Sequence, residues 1–264
     1  PFFHAAEDWG RVAVRCPLKE EDLFYTFDFD DMERRITPRT RALMLCSPHN
    51  PVGRVWTRQE LEALADFCLR HNLVVIADEI HHDLVFQPHT MFLTVSPEIA
   101  QRTILCTAPS KTFNLAGIQA SNIIIPNEEL RSKYRAVVAR HHAFSANSFA
   151  EAAVVAAYQD SEDWLDALIP YLDGNMALFC STVTAELPRL RVRRPEGTYM
   201  AWVDCSGLGR DPGDLKRFFA EECGLAFNDG ASFGPGGEGF MRVNLACPRA
   251  NVEECLRRLR AHCQ

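Results

Sequence analysis

The chain has 264 residues, 47% of them hydrophobic, and a formal net charge of −7 at pH 7. That length and apolar content can support one large domain and a smaller one. The acidic balance excludes the basic footprint of a nucleic-acid binder, and no apolar run approaches the length of a membrane span.

In chain order, the first strong signal is the apolar run Ala42 to Cys46, which predicts a buried strand. Thr57-Arg58-Gln59-Glu60 reads as a capping box, with Glu60 three residues after the N-cap. Leu61, Leu64, Ala65, Cys68 and Leu69 follow at helical spacing, so one face of that helix is expected to pack inward. Leu73 to Ala77, Thr103 to Thr107 and Ile123 to Ile125 predict three further strands. Strand, helix, strand at these distances predicts an α/β fold with a mostly parallel sheet and flanking helices.

Beyond Pro126 the pattern turns helical, over Glu128 to His142, Ala150 to Tyr158 and Trp164 to Leu187. Pro170 interrupts the last of these and predicts a bent connector. A strand at Thr198 to Val203 comes next, then a helix at Asp214 to Cys223 and a Gly-rich loop at Gly230 to Gly239. A strand at Phe240 to Leu245 and a helix at Asn251 to His262 complete a compact α+β module. The expected division is a large domain over 1–165 and a smaller C-terminal domain over 166–264.

Three of the apolar runs end in residues that a single cofactor could touch. Asn50 follows the first, Asp78 closes the second, and Ser110-Lys111 follows the third. In open α/β sheets ligands bind beyond the carboxyl ends of the strands, where all of these residues lie. An amine, a carboxylate and an amide donor in this order suit pyridoxal 5′-phosphate, which presents an aldehyde, a ring nitrogen and a ring oxygen. Lys111 would meet the aldehyde and serve as base at the substrate α-carbon. Asp78 would hold the ring nitrogen, Asn50 the ring oxygen and Ser110 the phosphate. Each residue also has a plain structural reading. Lys111 could be a solvated surface residue, Asp78 a turn or cap, Asn50 a turn former before proline and Ser110 a helix start. Asn50-Pro51 is a candidate for the cis isomer.

Ser47-Pro48-His49-Asn50-Pro51-Val52-Gly53-Arg54-Val55-Trp56, Asp78-Glu79-Ile80-His81-His82-Asp83 and Ser110-Lys111-Thr112-Phe113-Asn114 resemble segments of the fold-type I pyridoxal-phosphate enzymes. Within the aminotransferase class I/II superfamily they look most like the cystathionine β-lyase, or C–S lyase, branch. Many aminotransferases carry a tyrosine three residues after the aspartate, bonding the ring oxygen. Here that position is His81, which the resemblance assigns to the cofactor side. The arginine they place eight residues after the lysine is Gln119, and the serine three residues before it is Ala108. These departures favour the lyase branch. The stretch Phe240 to Arg249 resembles the family's late strand, so the resemblance assigns Arg242 to the substrate α-carboxylate. Arg249 reads as a structural or surface charge. Pro195-Glu196-Gly197-Thr198-Tyr199 resembles the opening of the small domain.

The resemblance implies a carbon–sulfur β-lyase acting on a cysteine conjugate such as L-cystathionine, and a homodimer. The rivals are an aminotransferase, a regulatory binding protein of the same fold, and an inactive copy. The chain opens Pro1-Phe2-Phe3-His4 without methionine and shows no signal peptide. It reads as a piece of a longer protein, whose remaining part the resemblance expects to supply a phosphate loop, a ring-stacking aromatic and residues reaching a neighbouring subunit.

Ten cysteines without a Cys-x-x-Cys pair read as reduced core thiols in a cytoplasmic protein. Asp78, His81, His82 and Asp83 are not expected to form a metal site, because neighbours on an extended segment point to opposite faces. His141-His142 reads as a solvated helix end. Gly234 to Gly239 lacks the lysine and the following helix of a P-loop.

Overall fold

The computed structural model describes residues 2–143 and 146–264. A short helix α1 (Phe2–Glu7), an antiparallel pair β1 (Lys19–Glu21) and β2 (Phe24–Thr26), and α2 (Phe29–Arg35) precede the first apolar run. Then come β3 (Ala42–Cys46), α3 (Arg58–Arg70), β4 (Val74–Asp78), α4 (Pro97–Ala100), β5 (Thr103–Thr107), α5 (Pro109–Thr112) and β6 (Asn122–Ile124). The sheet order is β3-β4-β5-β6, parallel across the first three strands and antiparallel at β6. The expected mostly parallel sheet is present, with β6 antiparallel at its edge.

The capping box forms as its spacing requires. Thr57 Oγ1 accepts from the Glu60 N–H, and the Glu60 carboxylate accepts from the Thr57 N–H. Leu61, Leu64, Phe67 and Cys68 of α3 are buried with Leu45, Val75, Ala77, Leu105, Trp56 and Phe92 in one hydrophobic core. Side chains alternate along a strand, so burying Val75 and Ala77 on this side turns Asp78 to the opposite face. Cys46 and Cys106 flank Asp78 there in register.

The second half contains α6 (Glu128–Arg140), α7 (Ala150–Asp160), α8 (Glu162–Glu186), β7 (Arg191–Val192), β8 (Met200–Asp204), α9 (Pro212–Arg217), β9 (Asn228–Asp229), β10 (Phe240–Asn244) and α10 (Arg249–His262). Its sheet runs β7-β8-β10-β9, antiparallel throughout. Met176, Phe179 and Val183 of α8 pack with Ala201, Val203, Phe218, Met241, Val243 and Leu256 in a second core. α8 thus serves the antiparallel sheet, which supports the division near residue 165 that we propose between a large and a small domain.

Pro170 lies inside α8, which runs on to Glu186 with Leu172, Met176, Phe179 and Val183 buried along it. Two expectations need correction. The helix expected from Asp214 changes to a single π-turn over Phe218–Glu222. The strand expected from Thr198 starts at Met200, because Thr198 takes the left-handed conformation at φ +65°. For a β-branched residue that conformation costs on the order of 1–3 kcal/mol.

The two halves interlock through a few groups. The Arg54 guanidinium, 4% exposed, donates to both carboxylate oxygens of Glu60 at 3.0 and 2.9 Å and to Glu196 at 2.8 Å. It also lies over the Phe24 and Trp56 rings. Gly53 adopts φ +74°, and a Cβ there would collide with Pro195. Val85 and Gly197 form an isolated antiparallel bridge.

Candidate active site

The turn after β3 is held against the neighbouring strand. The Ser47 N–H donates to the Asp78 carbonyl at 3.0 Å, the Trp56 indole to the Cys46 carbonyl at 3.0 Å, and the Asn50 N–H to Cys46 Sγ at 3.5 Å. Ser47-Pro48 and Asn50-Pro51 are both cis. These contacts fix Asn50 beyond the sheet edge, one strand away from Asp78.

Asp78 Oδ1 accepts from the Ile80 N–H at 3.2 Å. Burial pushes its carboxyl above the usual range, while the Ile80 N–H and the Lys111 charge pull it down. Burial also pushes the flanking thiols up, Cys46 to about 12 and Cys106 to about 11, so both stay neutral. Glu79, the next residue, points into the core and is fully buried. It accepts from the Phe92 N–H at 2.8 Å and from His89 Nε2 at 2.7 Å, clamping the following loop behind β4.

Lys111 and Ser110 lie in α5, started by Pro109 at its first turn. Thr112 Oγ1 donates to Asp83 Oδ2 at 2.8 Å, tying α5 to the segment after β4. The Lys111 charge acts on both Asp78 and His81. His81 is 2% exposed, and burial, with the Lys111 and Arg242 charges, lowers its pKa to about 4. Its Nδ1 is buried without a hydrogen-bond partner, and its ring meets Tyr199 edge to face at 5.5 Å.

Arg242 comes from the other sheet. Its Nη1 donates to Asn50 Oδ1 and its Nη2 to Asn228 Oδ1, each at 2.9 Å. Its guanidinium lies 4.7 Å from the Phe233 ring centroid, and its Nε is buried without a partner. Because Asn50 spends its oxygen on Arg242, its Nδ2 is left as the donor.

The geometry thus brings Asn50, Asp78, His81, Lys111 and Arg242 into one region. Ser110 is adjacent and partly exposed, and its hydroxyl has no partner among the described residues. Ala108 is buried at the N-cap of α5, and Gln119 is exposed in the left-handed conformation at φ +54°. The side chains after Asp78 disperse. His82 contacts the Glu79 carbonyl and Asp83, and the described residues hold no cluster of three or more metal-ligating groups. Arg249 is structural: it donates to Asn175 Oδ1 at 3.2 Å and lies over the Tyr171 ring. The exposed His141 meets Trp9 edge to face at 5.2 Å.

The sequence reading missed Tyr199, Asn228, Phe233 and the Glu79–His89 pair. Strand alternation could have turned Glu79 inward, but Asn228 lies in a two-residue strand with no local signal.

An amine, a carboxylate and a free amide donor fit the aldehyde, ring nitrogen and ring oxygen of pyridoxal 5′-phosphate. The orphaned Arg242 Nε and His81 Nδ1 fit a polar ligand beside it.

The family described as Aminotransferase class I and II matches residues 2–259. The chain belongs to this family. Cystathionine beta-lyase PatB of Bacillus subtilis is 40% identical, over 99% of this chain and 68% of that protein. MalY of Escherichia coli is 35% identical, over 96% of this chain and 65% of that protein. Cystalysin from Treponema denticola, whose structure contains pyridoxal 5′-phosphate, matches with a TM-score of 0.94 at 36% identity, over 99% of this chain and 67% of that one. The pyridoxal-phosphate-bound C-S lyase from Staphylococcus hominis matches at 0.92 and 32% identity, over 100% and 68%. The chain therefore spans about two thirds of the length of these relatives. Family, fold, enzyme type and cofactor agree with what the motifs led one to expect.

Proposed function

We propose that the chain carries the active-site residues of a pyridoxal-phosphate-dependent carbon–sulfur β-lyase that cleaves L-cystathionine or a similar cysteine conjugate to a thiol, pyruvate and ammonia. The observation that carries this reading is the 2.9 Å bond from Arg242 to Asn50, which brings a guanidinium from the antiparallel sheet to the edge of the parallel sheet that carries Asp78 and Lys111. The relatives named cystathionine β-lyase support elimination over transamination.

When bound, the cofactor supplies an electron sink for charge left at the substrate α-carbon. Lys111 would hold it through its amine until the substrate's amino group takes that place and frees the lysine. Asp78 would meet its ring nitrogen, Asn50 Nδ2 would donate to its ring oxygen, and Ser110 would reach its phosphate. His81, kept neutral by burial, lines the cofactor side. Arg242 grips the substrate α-carboxylate and orients the Cα–H bond toward Lys111. The Lys111 amine takes the α-proton, and the thiolate departs from Cβ. Water completes the release of pyruvate and ammonia.

A homodimer in the cytoplasm belongs to the same proposal. All ten cysteines are free, as a reducing compartment expects, and no helix among the described residues is long and apolar enough to cross a membrane. Light scattering tests the dimer. The activity is tested by supplying the purified protein with pyridoxal 5′-phosphate and L-cystathionine, with and without a keto acid. Thiol and pyruvate release without keto acid is expected. Strict keto-acid dependence replaces the reading with an aminotransferase, and no turnover in either case overturns both.

A further inference from the structure

We infer that Tyr199 is a substrate-binding residue, donating a hydrogen bond from its phenol to the α-carboxylate held by Arg242. The inference rests on the amino-acid-processing reading above and adds a residue to its carboxylate site.

The first observation is conformational. Thr198 is fully buried in the left-handed region, a costly place for a β-branched side chain. It is held there from two sides: its N–H donates to the Leu84 carbonyl at 2.6 Å, and its Oγ1 accepts from the Met200 N–H at 3.1 Å. Strain of this kind persists where surrounding structure over-determines it, and it collects at ligand sites. Here its result is to turn the chain between the Val85–Gly197 bridge and β8. Tyr199 is thereby set against the buried His81 ring.

The second observation concerns hydrogen bonding. The Tyr199 backbone carbonyl accepts from the Leu245 N–H at 2.9 Å, so the residue is anchored to the end of β10, the strand that carries Arg242. Its hydroxyl has no hydrogen-bond partner among the described residues. Arg242 Nε and His81 Nδ1 beside it are both buried and unpartnered. Arg242 Nε is a buried donor without an acceptor, and the Tyr199 phenol, close enough for the Arg242 charge to act on it, is a second donor without one, so a single acceptor can serve both. A carboxylate has two oxygens and about four acceptor sites. Burial pushes the Tyr199 phenol up and the Arg242 charge pulls it down only in part, so near neutrality it keeps the proton it must donate.

Asn50 and Asn228 already occupy Nη1 and Nη2 of Arg242. A carboxylate that also engages Nε has one oxygen directed away from the guanidinium, which a phenol donor can satisfy. Tyr199 so placed would separate amino acids from amines that lack the acid group.

The test is Tyr199→Phe, which keeps the ring against His81 and removes only the hydroxyl. For L-cystathionine the KM is expected to rise about tenfold, the loss of one hydrogen bond to a charged group, with kcat within about twofold. Binding of an S-alkyl-2-methyl-L-cysteine, which has the carboxylate but no α-proton, should weaken by the same factor. Binding of the matching S-alkyl-cysteamine, which lacks the carboxylate, should stay unchanged. Equal weakening of both ligands, or no change in either, overturns the inference. So does a fall in kcat at constant KM, which marks a role in positioning His81. If the wild type transaminates instead of eliminating, the lyase reading fails, yet the paired binding measurement still decides the role of Tyr199.

Discussion

The parallel and antiparallel sheets contribute to the site in different ways. The parallel sheet offers groups from the ends of three adjacent strands: Asn50 in the turn after β3, Asp78 as the last residue of β4, and Lys111 in α5 just after β5. The antiparallel sheet offers Arg242 from the middle of β10, opposite Trp202 on one side and Asn228 on the other. Strand ends present reactive groups that can be exchanged without disturbing the ladder. A mid-strand arginine is held by register, and its neighbours are chosen by pairing rather than by sequence proximity. This separates chemistry at the sheet's edge from substrate grip at the second sheet, and the separation can be broken experimentally.

The largest effect is expected at the edge. Lys111→Ala should lower pyruvate release from L-cystathionine by about 10³-fold or more, since it removes both the cofactor-holding amine and the base. Its melting temperature should stay close to that of the wild type, because Lys111 is not part of either core. A variant that keeps measurable turnover would remove Lys111 from the mechanism.

Next is the joint between the halves. Arg54→Met leaves Glu60 and Glu196 facing each other without their shared cation, beside the close contact of Gly53 with Pro195. Losing one partner of a buried ion pair costs 3–5 kcal/mol, and the partial exposure of both glutamates reduces this to about 2–3 kcal/mol. Chemical denaturation should report the loss as a lower midpoint. An unchanged midpoint would show that the halves are joined by apolar packing alone.

Arg242→Lys tests the second sheet. A lysine keeps the charge but cannot bond Asn50, Asn228 and a carboxylate together. A fall in kcat/KM of about 10–100-fold is expected, carried mostly by KM. A fall confined to kcat would mean that the guanidinium acts on chemistry through Asn50 rather than on binding.

The same contrast explains what was legible. Asn50-Pro51, Asp78 and Ser110-Lys111 could be read because each follows an apolar run, and turn residues after strands carry local signals. The capping box at Thr57 was readable for the same reason: its partners are three residues apart. Arg242 needed the family resemblance. Asn228 and Tyr199 were not legible, since the first depends on the register of β9 with β10 and the second on a threonine in a conformation that threonine disfavours. Pro170 does not end α8, whose buried residues begin two positions along and continue to the thirteenth.

The smallest effect expected is thermodynamic and depends on pH. Burial is the main cause of the raised Asp78 pKa, outweighing the Ile80 N–H and the Lys111 charge. The folded chain therefore holds this proton more tightly than the unfolded chain does. The carboxyl contributes stability below its unfolded pKa, and that contribution is lost as pH rises through the raised folded value. Asp78→Asn stays neutral throughout. Without added cofactor it should melt slightly above the wild type near neutral pH, and the two should converge in acid, where Asp78 is protonated. Melting curves at a series of pH values read this difference directly. In the proposed reading the same substitution removes the carboxylate on which turnover depends, so stability rises where activity falls, the mark of a residue kept for its chemistry. A variant that melts below the wild type at neutral pH would instead make Asp78 a structural turn residue, held by its bond from Ile80.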